Sequence, residues 1–585
     1  MDTPNAQKHP KRKNPKYVFV IGGVMSGVGK GIASSSIGTL LQAKGFSVNL
    51  MKVDPYLNVD AGTMNPTEHG EVFVLDSGLE TDQDMGNYER FLNRSMTHDD
   101  YLTSGMVYKH VIEKERNLGY RGRCVEAIPD IRDEIVHRFR RAAEKSGAEV
   151  LVVEIGGTVG DYQNIMFIEA ARVLKIKHPN DVAFVMVSYL PIPSKLGEMK
   201  SRPTQNAIRQ LQSYGVQTDI IIGRSEVAID KKRKEKIAIS CNVPAENVIS
   251  APDIESIYDV PLNFERDKLS KVLLKVLHAR PKVKEDGLNK WRGFVHSIKA
   301  ANEEAKGAGG KPGANLVNIA IVGKYFNTGD FVLTDSYVSI LEAIKYSAYK
   351  LGLKPVIHTV NALDFEKQKP DFKTLQKYDG ILVPGGFGET GIEGKLSVIR
   401  YAREQGIPYF GICYGMQLMV IEYARNVLGW KDANTAEINP AASKVVIDIM
   451  PDQKKKLAEG HYGASMRLGA YPAHLVKGTI ANEAYGAEVI SERHRHRYEV
   501  NPAYIADITS SASVAVSDSG AKGPVPLVFS GTSPDGRLME IAELPRAAHP
   551  FFLGTQFHPE FLARPLAPHP LFSEFLKAAG KRRGK

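Results

Sequence analysis

The first half of the chain alternates short apolar runs with longer segments of helical character. Five of these runs predict buried strands: Tyr17–Ile21, Phe46–Val53, Val150–Ile155, Ala183–Val187 and Asp219–Ile222. Residues 30–44, between the first two runs, have the composition of a helix, and Gly45 marks its end. Strands that alternate with helices are typical of a parallel, doubly wound α/β domain.

The same alternation returns in the second half. It predicts strands at Leu316–Val322, Gly380–Val383, Pro408–Ile412 and Phe552–Phe557. Between the halves, the stretch from Ala305 to Asn315 is rich in glycine and polar residues and is typical of a linker. We therefore predict two doubly wound α/β domains, at 17–280 and 316–576, joined by a linker at 281–315.

The net charge of +10 on 585 residues raises the question of nucleic acid as a partner. Residues 1–16 carry five Lys or Arg against one Asp, and residues 577–585 carry five more. The body between these two segments is therefore almost neutral, which argues against a nucleic-acid-binding surface. We interpret both segments as solvated basic tails outside the two domains.

The cysteines at 124, 241 and 413 are few and widely separated. This spacing predicts no disulfide framework and no cysteine metal site, and it is typical of a reducing compartment. Apolar runs long enough to cross a membrane are absent from the sequence, and no leader-like segment begins it. We expect a soluble, cytoplasmic protein without a membrane partner.

A glycine-rich loop, Gly22–Gly31, follows the first predicted strand and precedes a helix. Backbone N–H groups in such a loop approach phosphate closely, and the side chain of Lys30 would reach the terminal phosphates. Gly31 replaces the hydroxyl residue that usually ligates magnesium in a P-loop. The alternative is a glycine-rich turn without a ligand.

Two carboxylates are candidates for holding Mg²⁺ in place of that hydroxyl. Glu154 ends a buried strand, where ligands of open α/β sheets bind, and Asp84 lies in the ETDQD segment. Carboxylates that share Mg²⁺ with triphosphate oxygens fit this arrangement. The alternatives are a structural ion pair for Glu154 and a solvated loop position for Asp84.

Cys413 lies between a strand and a helix, with Gly411 and Gly415 two residues to either side. This is the pattern of a nucleophile elbow, which exposes a reactive side chain at a helix N-terminus. His558 and Glu560 are two residues apart, so an extended segment would point both to one side. A cysteine after a strand is otherwise a small buried residue.

The segment Pro384-Gly-Gly-Phe-Gly388 also follows a strand. Its backbone N–H groups, near Gly386 and Phe387, are candidates for an oxyanion hole that would stabilise a tetrahedral intermediate. Together with the elbow and the His-Pro-Glu segment, this loop favours acyl-transfer chemistry over a merely buried cysteine.

Taken together, these motifs resemble a known family. The second half is similar to class I glutamine amidotransferases, with a Cys413–His558–Glu560 triad. The motifs GGVMSGVGKGI, MKVDPYLNVDAGTMNPTEHGEVFV, ETDQDMGNYERF, VEIGGTVGD and SERHRHRYEVN resemble CTP synthases over residues 17–576. The resemblance implies a ligase that aminates UTP to CTP, with ATP as co-substrate, Mg²⁺ as cofactor and ammonia channelled from glutamine. It also implies a homotetramer, possible filaments, CTP feedback and GTP activation.

The resemblance further implies roles for individual residues. ATP would contact Ser26, Val28, Gly29, Lys30, Gly31, Asp84, Arg224 and Asp253. UTP or CTP would contact Ser26, Asp161, Gln163, Lys200, Arg202, Gln205 and Lys236. Lys52 would stabilise the transferring phosphoryl group, and Asp84 and Glu154 would hold Mg²⁺. In the amidase half, Gly385 and Gly386 would form the oxyanion loop, while Gln417, Glu437 and Arg497 would bind glutamine. His69 and Val72 would border the ammonia passage.

Several positions depart from the family pattern. Gln163 replaces a glutamate, Asp130 a histidine and Arg202 a lysine. These changes predict altered UTP affinity or CTP feedback with the reaction retained, because charge and donor geometry change around the pyrimidine nucleotide. The family arginine after PGGFG is absent, with Thr390 in that segment, which puts GTP activation in question.

Three functions follow from these observations. The first is an active CTP synthase, and the second is a related ATP-dependent amidotransferase with a different acceptor. The third is a catalytically silent filament protein, which the presence of Lys30, Lys52 and Cys413 disfavours.

Overall fold

The computed structural model describes residues 14–65, 69–193, 197–284, 287–307, 313–323, 335–367, 370–386, 388–450, 453, 466–510 and 525–583. Contacts among these residues divide the chain into two compact units. The first unit comprises the described residues of Met1–Val59 and Asp99–Asn289. The second comprises those of Asp60–His98 and Lys290–Lys585. The segment Asp60–His98 therefore packs with the C-terminal half, although it precedes most of the first unit in sequence.

The strands of the described residues follow, in chain order. They are β1 (Lys16–Gly23), β2 (Val48–Asp54), β3 (Phe73–Val74), β4 (Glu80–Thr81), β5 (Tyr101–Thr103), β6 (Val150–Thr158), β7 (Val182–Tyr189), β8 (Ile220–Ser225), β9 (Val248–Pro252), β10 (Leu316–Gly323), β11 (Lys354–Asn361), β12 (Gly380–Val383), β13 (Tyr409–Ile412), β14 (Ala433–Thr435), β15 (Lys444–Ile449), β16 (Arg467–Leu475), β17 (Val489–His496), β18 (Tyr498–Val500), β19 (Val528–Thr532), β20 (Met539–Glu543) and β21 (Phe552–Thr555).

The α-helices of the described residues are α1 (Lys30–Ala43), α2 (Asp84–Leu92), α3 (Ser104–Arg116), α4 (Arg132–Ser146), α5 (Ile165–Lys177), α6 (Arg202–Ser213), α7 (Lys231–Cys241), α8 (Val260–Arg266), α9 (Leu269–Val276), α10 (Asn289–Ala305), α11 (Val338–Lys350), α12 (Ile392–Glu404), α13 (Tyr414–Asn426), α14 (Ile480–Tyr485), α15 (Pro502–Ser510) and α16 (Pro570–Arg583). Short 3₁₀ turns connect several of them, among others at His98–Asp100, Tyr162–Asn164 and Pro559–Leu562.

The first unit is built on a seven-stranded sheet in the order β5-β2-β6-β1-β7-β8-β9. Every neighbouring pair in it is parallel. β1 lies at the centre of the sheet, and both of its faces are buried. A strand that is buried on both faces has a continuous apolar sequence, as β1 does. The carboxyl end of β1 leads into the glycine-rich loop, so the sheet places that loop where ligands of open α/β sheets bind.

The second unit contains a nine-stranded mixed sheet in the order β11-β10-β12-β13-β21-β20-β19-β16-β17. The five strands from β11 to β21 are parallel, and the remaining pairs are antiparallel. β13 is a central parallel strand, and it carries Cys413 at its carboxyl end. The edge strand β17 belongs to the antiparallel part, and it contributes Arg493, Arg495 and His496.

Each unit has its own apolar core. In the first, Phe19 stacks on Phe184 with ring centroids 5.7 Å apart and contacts Phe139. In the second, Tyr409 and Phe552 from neighbouring strands lie 4.9 Å apart. The predicted α/β class is confirmed in both units, and each of the nine predicted strands overlaps a strand of the structure.

The predicted linker is partly helical. Within the predicted linker 281–315, residues 289–305 form α10, whose buried face includes Trp291, Phe294 and Ile298. This face has the 3.6-residue apolar spacing of a helix. Residues 308–312 of the predicted linker lie outside the described residues.

The predicted basic tail at 577–585 is also largely helical. α16 runs to Arg583, and Ala578 and Ala579 are buried. The guanidinium of Arg583 donates hydrogen bonds to the backbone carbonyls of Leu316 and Gly313, the latter over 3.0 Å. The boundary at residue 576 therefore falls inside a helix. Residues 1–13 of the predicted N-terminal tail lie outside the described residues, and Lys16 begins β1.

Among the residues that the structure describes, none of the helices is sufficiently long and apolar to span a bilayer. All three cysteines are free thiols.

Candidate active sites

The glycine-rich loop of the first unit has the backbone of a phosphate cradle. Gly27 and Gly29 have φ values of 69° and 90°, in the left-handed region that glycine adopts without strain. Gly29 is also the N-cap of α1, so the helix N-terminus faces the loop. The ammonium of Lys30 donates a hydrogen bond to the carbonyl of Gly157 over 2.9 Å.

Gly22 explains how the loop accommodates Lys30. A Cβ at residue 22 would lie 2.9 Å from the ammonium nitrogen of Lys30, too close for a side chain. The glycine therefore leaves room for this lysine to cross the end of β1. Ser26 is exposed at the tip of the loop, while Val28 and Gly31 are buried beneath it.

Lys52 and Glu154 are opposite each other in the register of β2 and β6. Their side chains form a buried ion pair, with 3.1 Å between Lys52 Nζ and Glu154 Oε1. Asp54 lies 3.6 Å from the same ammonium. Removing one partner of such a pair is costly, because it leaves a buried charge without compensation. Asp54 was not among the residues predicted from the sequence, although it stands in the MKVDPYLN segment.

The carboxylates of Glu154 and Asp54 are ligands of the type that Mg²⁺ prefers, since this ion binds carboxylate and phosphate oxygens. Glu154 and Asp54 supply two carboxylates at the end of the sheet that the phosphate loop occupies. No three His, Cys, Asp or Glu side chains within the described ranges converge on a metal site of their own. Asp84, the other predicted ligand, belongs to the second unit, where it begins α2.

A cavity of about 200 Å³ opens beside the phosphate loop. Its walls are mainly apolar, and Gly29, Arg224 and Asp253 line its edge. Arg224 donates a hydrogen bond to Asp253 over 2.7 Å. The fold thus brings the predicted adenosine residues Arg224 and Asp253 together next to Gly29, in a cavity with mainly apolar walls.

The residues predicted to bind UTP lie on loops and on two helices of the first unit, with Lys236 in the middle of α7. Asp161 accepts hydrogen bonds from the backbone N–H and the hydroxyl of Thr158, over 2.7 and 3.1 Å. Lys200 pairs with Glu198 over 2.5 Å, and that ion pair, together with the nearby Lys236, lowers the pKa of Glu198.

The other predicted UTP residues are placed as follows. Arg202 begins α6, and the amide of Gln205 on the same helix donates to Ser201 over 3.1 Å. Gln163 is exposed. Asp130, at a position where the sequence departs from the family pattern, is buried and pairs with Arg123 in its own loop, and this pair lowers its pKa.

In the second unit, Cys413 has the strained backbone of a nucleophile elbow. Its φ and ψ are 51° and −100°, and it caps α13. The glycines on either side are required by packing. A Cβ at residue 415 would lie 2.2 Å from the carbonyl of Val383, and one at residue 411 would lie 2.7 Å from the backbone of Gly415. The G-x-C-x-G spacing therefore reflects the tight strand–helix turn.

His558 and Glu560 are joined as predicted. Nδ1 of His558 lies 2.7 Å from Oε1 of Glu560. Burial alone would lower the pKa of His558, but Glu560 and the Cys413 thiol outweigh it and raise the pKa to about 10. The imidazole is therefore held charged near neutrality, in the state that can give a proton to a leaving amine.

The predicted oxyanion loop packs against both reactive residues. A Cβ on Gly385 would lie 3.0 Å from Cε1 of His558 and 3.6 Å from Cβ of Cys413. Gly386 has open space around its Cα, and Phe387 lies outside the described residues. The N–H of Gly388 donates to the carboxylate of Glu437 over 2.8 Å.

The residues predicted to bind glutamine surround the same elbow. Gln417 donates to the carbonyl of Tyr498 over 2.8 Å and to Gln556 over 3.2 Å. Burial, then Glu437, raises the pKa of Tyr498, while Arg497 opposes the shift, so these groups lie within electrostatic reach of one another. Gln556, whose amide lies 3.8 Å from the Cys413 sulfur, was missed from the sequence.

A cavity of about 90 Å³ contains the reactive groups of the amidase site. Its lining includes Cys413, His558 and Glu560, and also Glu71 and Val72 of the segment Asp60–His98. Val72 was predicted to border the ammonia passage, whereas His69 is exposed and is not in this lining. Glu71 was missed, although it stands in the EHGEVF segment that was singled out.

β17 joins this segment to the reactive residues. The carbonyl of Arg493 accepts the N–H of His558 over 2.8 Å, and the carbonyl of Arg495 lies 3.8 Å from the Cys413 sulfur. The guanidinium of the fully buried Arg493 pairs with Asp76 and with Glu89, the latter over 3.0 Å. These ion pairs were not predicted, because they join residues about 400 positions apart.

Comparison with known proteins identifies the family of both halves of the chain. The family model described as CTP synthase N-terminus matches residues 16–279, and that of glutamine amidotransferase class-I matches residues 332–578. CTP synthase of Thermococcus gammatolerans is 47% identical over 570 residues, covering 97% of this chain and 99% of the relative. CTP synthase of Pyrococcus furiosus is 48% identical over 566 residues, covering 96% and 98%.

Among solved structures, the glutaminase domain of Trypanosoma brucei CTPS with bound acivicin is 37% identical, with a TM-score of 0.40. The match covers 45% of this chain and 94% of that one. With both family models matched and near-half identity over almost the full length of curated relatives, the chain belongs to the CTP synthase family, whose members join a synthetase domain to a class I glutamine amidotransferase domain.

Proposed function

We propose that the two sites act in sequence to convert UTP, ATP and glutamine into CTP, ADP, phosphate and glutamate. The observation that carries the proposal is a cavity lined by Cys413 on its strained elbow and by the hydrogen-bonded pair His558–Glu560, in a chain of this family. Cys413 attacks the amide carbon of glutamine, and His558 gives a proton to the departing nitrogen. Ammonia and a glutamyl thioester result, and water releases glutamate.

The first unit prepares the acceptor for that ammonia. The O4 oxygen of uracil is a poor leaving group, and phosphorylation by ATP makes it a good one. Lys30 and the loop amides hold the triphosphate, the Arg224–Asp253 edge receives adenosine, and Lys52 neutralises charge on the transferring phosphoryl group. Ammonia then attacks C4 and phosphate leaves. Asp161, Gln163, Lys200, Arg202, Gln205 and Lys236 are the proposed contacts of UTP and of CTP.

Mg²⁺ belongs to this proposal as the cofactor of the first unit. Glu154 supports it as a ligand, because its carboxylate lies at the sheet end beside Lys52. When bound, the ion would neutralise charge on the triphosphate. Asp84 as a second ligand stays a prediction.

The family resemblance supports four further proposals for this protein. They are a homotetrameric assembly that can form filaments, a cytoplasmic location, feedback by CTP and activation by GTP. The sequence departures at Asp130, Gln163 and Arg202 support altered feedback, and the segment around Thr390 supports weakened GTP activation.

The test is an assay of the purified full-length protein with ATP, Mg²⁺, glutamine and each nucleoside triphosphate in turn. We expect CTP from UTP, with glutamate formed in parallel. Turnover of another acceptor without CTP would replace the proposal by an amidotransferase of different specificity. Absence of both glutamate and aminated product would leave the catalytically silent alternative. Repeating the assay with GTP and with CTP measures activation and feedback.

A further inference from the structure

The lining of the amidase cavity contains a buried carboxyl group that has no role in the proposed mechanism. Glu71 lines the cavity of about 90 Å³ together with Cys413, His558 and Glu560. Its neighbour in sequence, Val72, lines the same cavity and was predicted to border the ammonia passage. The carboxyl group of Glu71 therefore shares one cavity with the reacting groups and with the residue at which the passage is expected to begin.

The position of this carboxyl is fixed by helix α11. The backbone N–H of Ser339 donates to both carboxyl oxygens, over 3.3 and 3.2 Å, and the Ser339 hydroxyl donates to Oε2. Arg90 in turn donates to the same hydroxyl over 3.2 Å. Glu71 thus serves the N-terminus of α11 and cannot swing away from the cavity without losing these bonds.

The rest of the lining offers few alternatives for binding a small amine. Val72, Ile340 and Phe561 are apolar, and Arg495 has only donors. Cys413, His558 and Glu560 are occupied by hydrolysis. Three side chains of the lining outside the catalytic residues can both donate and accept a hydrogen bond. They are the hydroxyls of Ser336 and Tyr337 and the protonated carboxyl of Glu71.

The charge of Glu71 suits an uncharged ligand. Burial raises its pKa and Glu560 adds to the shift, while the Ser339 bonds and Arg90 oppose it, and the net pKa is about 8. The other titratable groups of the cavity lining are Glu560, His558, Cys413, Arg495 and Tyr337. At neutral pH the carboxyl is mainly protonated. A neutral acid hydrogen-bonds ammonia without the electrostatic attraction for ammonium that a carboxylate would exert, and ammonium has no lone pair for attack on C4.

We propose that Glu71 receives ammonia as it leaves Cys413, holding it by a hydrogen bond beside Val72 on its way to the acceptor. The step breaks no covalent bond: His558 has already transferred its proton to the amide nitrogen, and ammonia moves from His558 to the Glu71 carboxyl as a neutral molecule. This inference rests on the proposed function and assigns it a transfer residue.

The test measures CTP formed per glutamate formed, with glutamine as nitrogen source. Glu71→Leu keeps the size of the side chain and removes the polar group. We expect the ratio to fall about two- to tenfold, the effect of one lost hydrogen bond. Glu71→Gln restores a neutral donor and acceptor, and its ratio is expected to stay within about twofold of the parent.

Glu543→Leu is the matched control. Glu543 is also a buried carboxyl that accepts backbone N–H groups at a helix N-terminus, those of Ile480 and Ala481 on α14, but it does not line the amidase cavity, so the ratio of this variant should equal that of the parent. If Glu543→Leu loses coupling as Glu71→Leu does, the effect reflects the loss of a buried carboxyl in general and the inference fails. It fails equally if Glu71→Leu keeps the parental ratio or if Glu71→Gln loses it.

Two additional measurements separate misfolding and loss of the overall reaction from loss of ammonia transfer. If Glu71→Leu gives no folded protein, the paired change Glu71→Leu with Ser339→Ala removes the hydroxyl donor together with its acceptor and carries the same test. CTP formation by the parent from ammonium chloride and from glutamine is measured alongside. A parent that makes CTP from neither source overturns the proposed function, whereas a coupled parent with equally coupled Glu71 variants overturns only this inference.

Discussion

At the scale of single residues, the amidase site depends on groups whose chemistry is set by a few contacts. Cys413 stands at a backbone conformation that non-glycine residues rarely adopt, and the surrounding packing must hold it there. His558 is hydrogen-bonded to Glu560, and Glu560 and Cys413 together raise its pKa despite burial, so it is protonated near neutrality. The reactivity of the pair therefore follows from placement more than from residue type.

The first prediction concerns the nucleophile. Cys413→Ala should lower glutamine-dependent CTP formation by about a thousandfold or more, because no other side chain can form the thioester. CTP formation from ammonium chloride should remain, since it bypasses the thioester. Both rates are measured under saturating ATP and UTP.

Cys241→Ala is the control for the loss of a thiol. Cys241 is buried in the first unit, and burial raises its pKa to about 11, so it stays a neutral core thiol. We expect both nitrogen sources to support CTP formation in this variant. Persistent glutamine-dependent synthesis in Cys413→Ala would refute the assignment of the nucleophile.

At the scale of elements, the contact between the EHGEVF segment and helix α11 should leave a trace in the pH dependence of stability. The pKa of Glu71 in the folded protein is about 8, above the ordinary value of 4.5. As pH rises between these values, the unfolded chain releases this proton while the folded protein keeps it. Glu71 therefore lowers the stability of the folded state progressively from about pH 5 to pH 8.

We expect Glu71→Gln to remove that contribution. The stability of the variant relative to the parent should rise with pH by at most about 1.4 kcal/mol per pH unit across this window, and then level off above pH 8. Melting temperatures at a series of pH values measure the difference. A difference that does not change between pH 5 and 8 would show that Glu71 is already ionised at pH 5.

The ion pairs of β17 lead to a second prediction at this scale. Arg493 is fully buried and pairs with Asp76 and Glu89. Arg493→Met should cost about 1.5–3 kcal/mol of stability, because it removes one of the two guanidiniums that compensate the buried Glu89, the other being that of Arg564. Glutamine hydrolysis should fall as well, since the carbonyl of residue 493 holds the N–H of His558.

A surface ion pair in the connection between β16 and β17 is the comparison. Lys477 pairs with Glu488 over 2.7 Å, and both side chains are largely exposed. Lys477→Met should leave the melting temperature and glutamine hydrolysis unchanged within error, since solvent screens such pairs. Equal effects of the two substitutions would contradict a special role for the Arg493 pairs.

At the scale of the whole molecule, the C-terminal residues are part of the second unit. Ala578 and Ala579 are buried, and Arg583 binds two backbone carbonyls at Gly313 and Leu316. Deletion of residues 577–585 should therefore destabilise this unit by on the order of 1–3 kcal/mol. Thermal unfolding of the truncated and full-length proteins measures the loss.

Deletion of residues 1–13 is the matched truncation at the other end. It ends before β1 and before the ion pair of Lys16 with Asp181, so we expect unchanged stability and activity. If the C-terminal truncation melts at the same temperature as the full-length protein, residues 577–585 are a solvated tail and the prediction is wrong.

The sequence by itself determined the α/β class of both halves, because buried parallel strands appear as uninterrupted apolar runs. It also located the phosphate loop and the elbow, because each occupies a few consecutive residues whose glycines are required by local geometry. The sequence did not predict α10, although its apolar spacing is present, because the glycine-rich residues that follow it are typical of a linker.

Only the tertiary structure decided which distant residues act together. It placed Glu71 and Val72 in the lining of the Cys413 cavity and paired Arg493 with Asp76 and Glu89. It also carried α16 past the predicted boundary at residue 576. The physical reason is that hydrogen bonds, ion pairs and cavities depend on distance in space, whereas apolar periodicity and turn chemistry are properties of neighbouring residues and can be recognised along the chain.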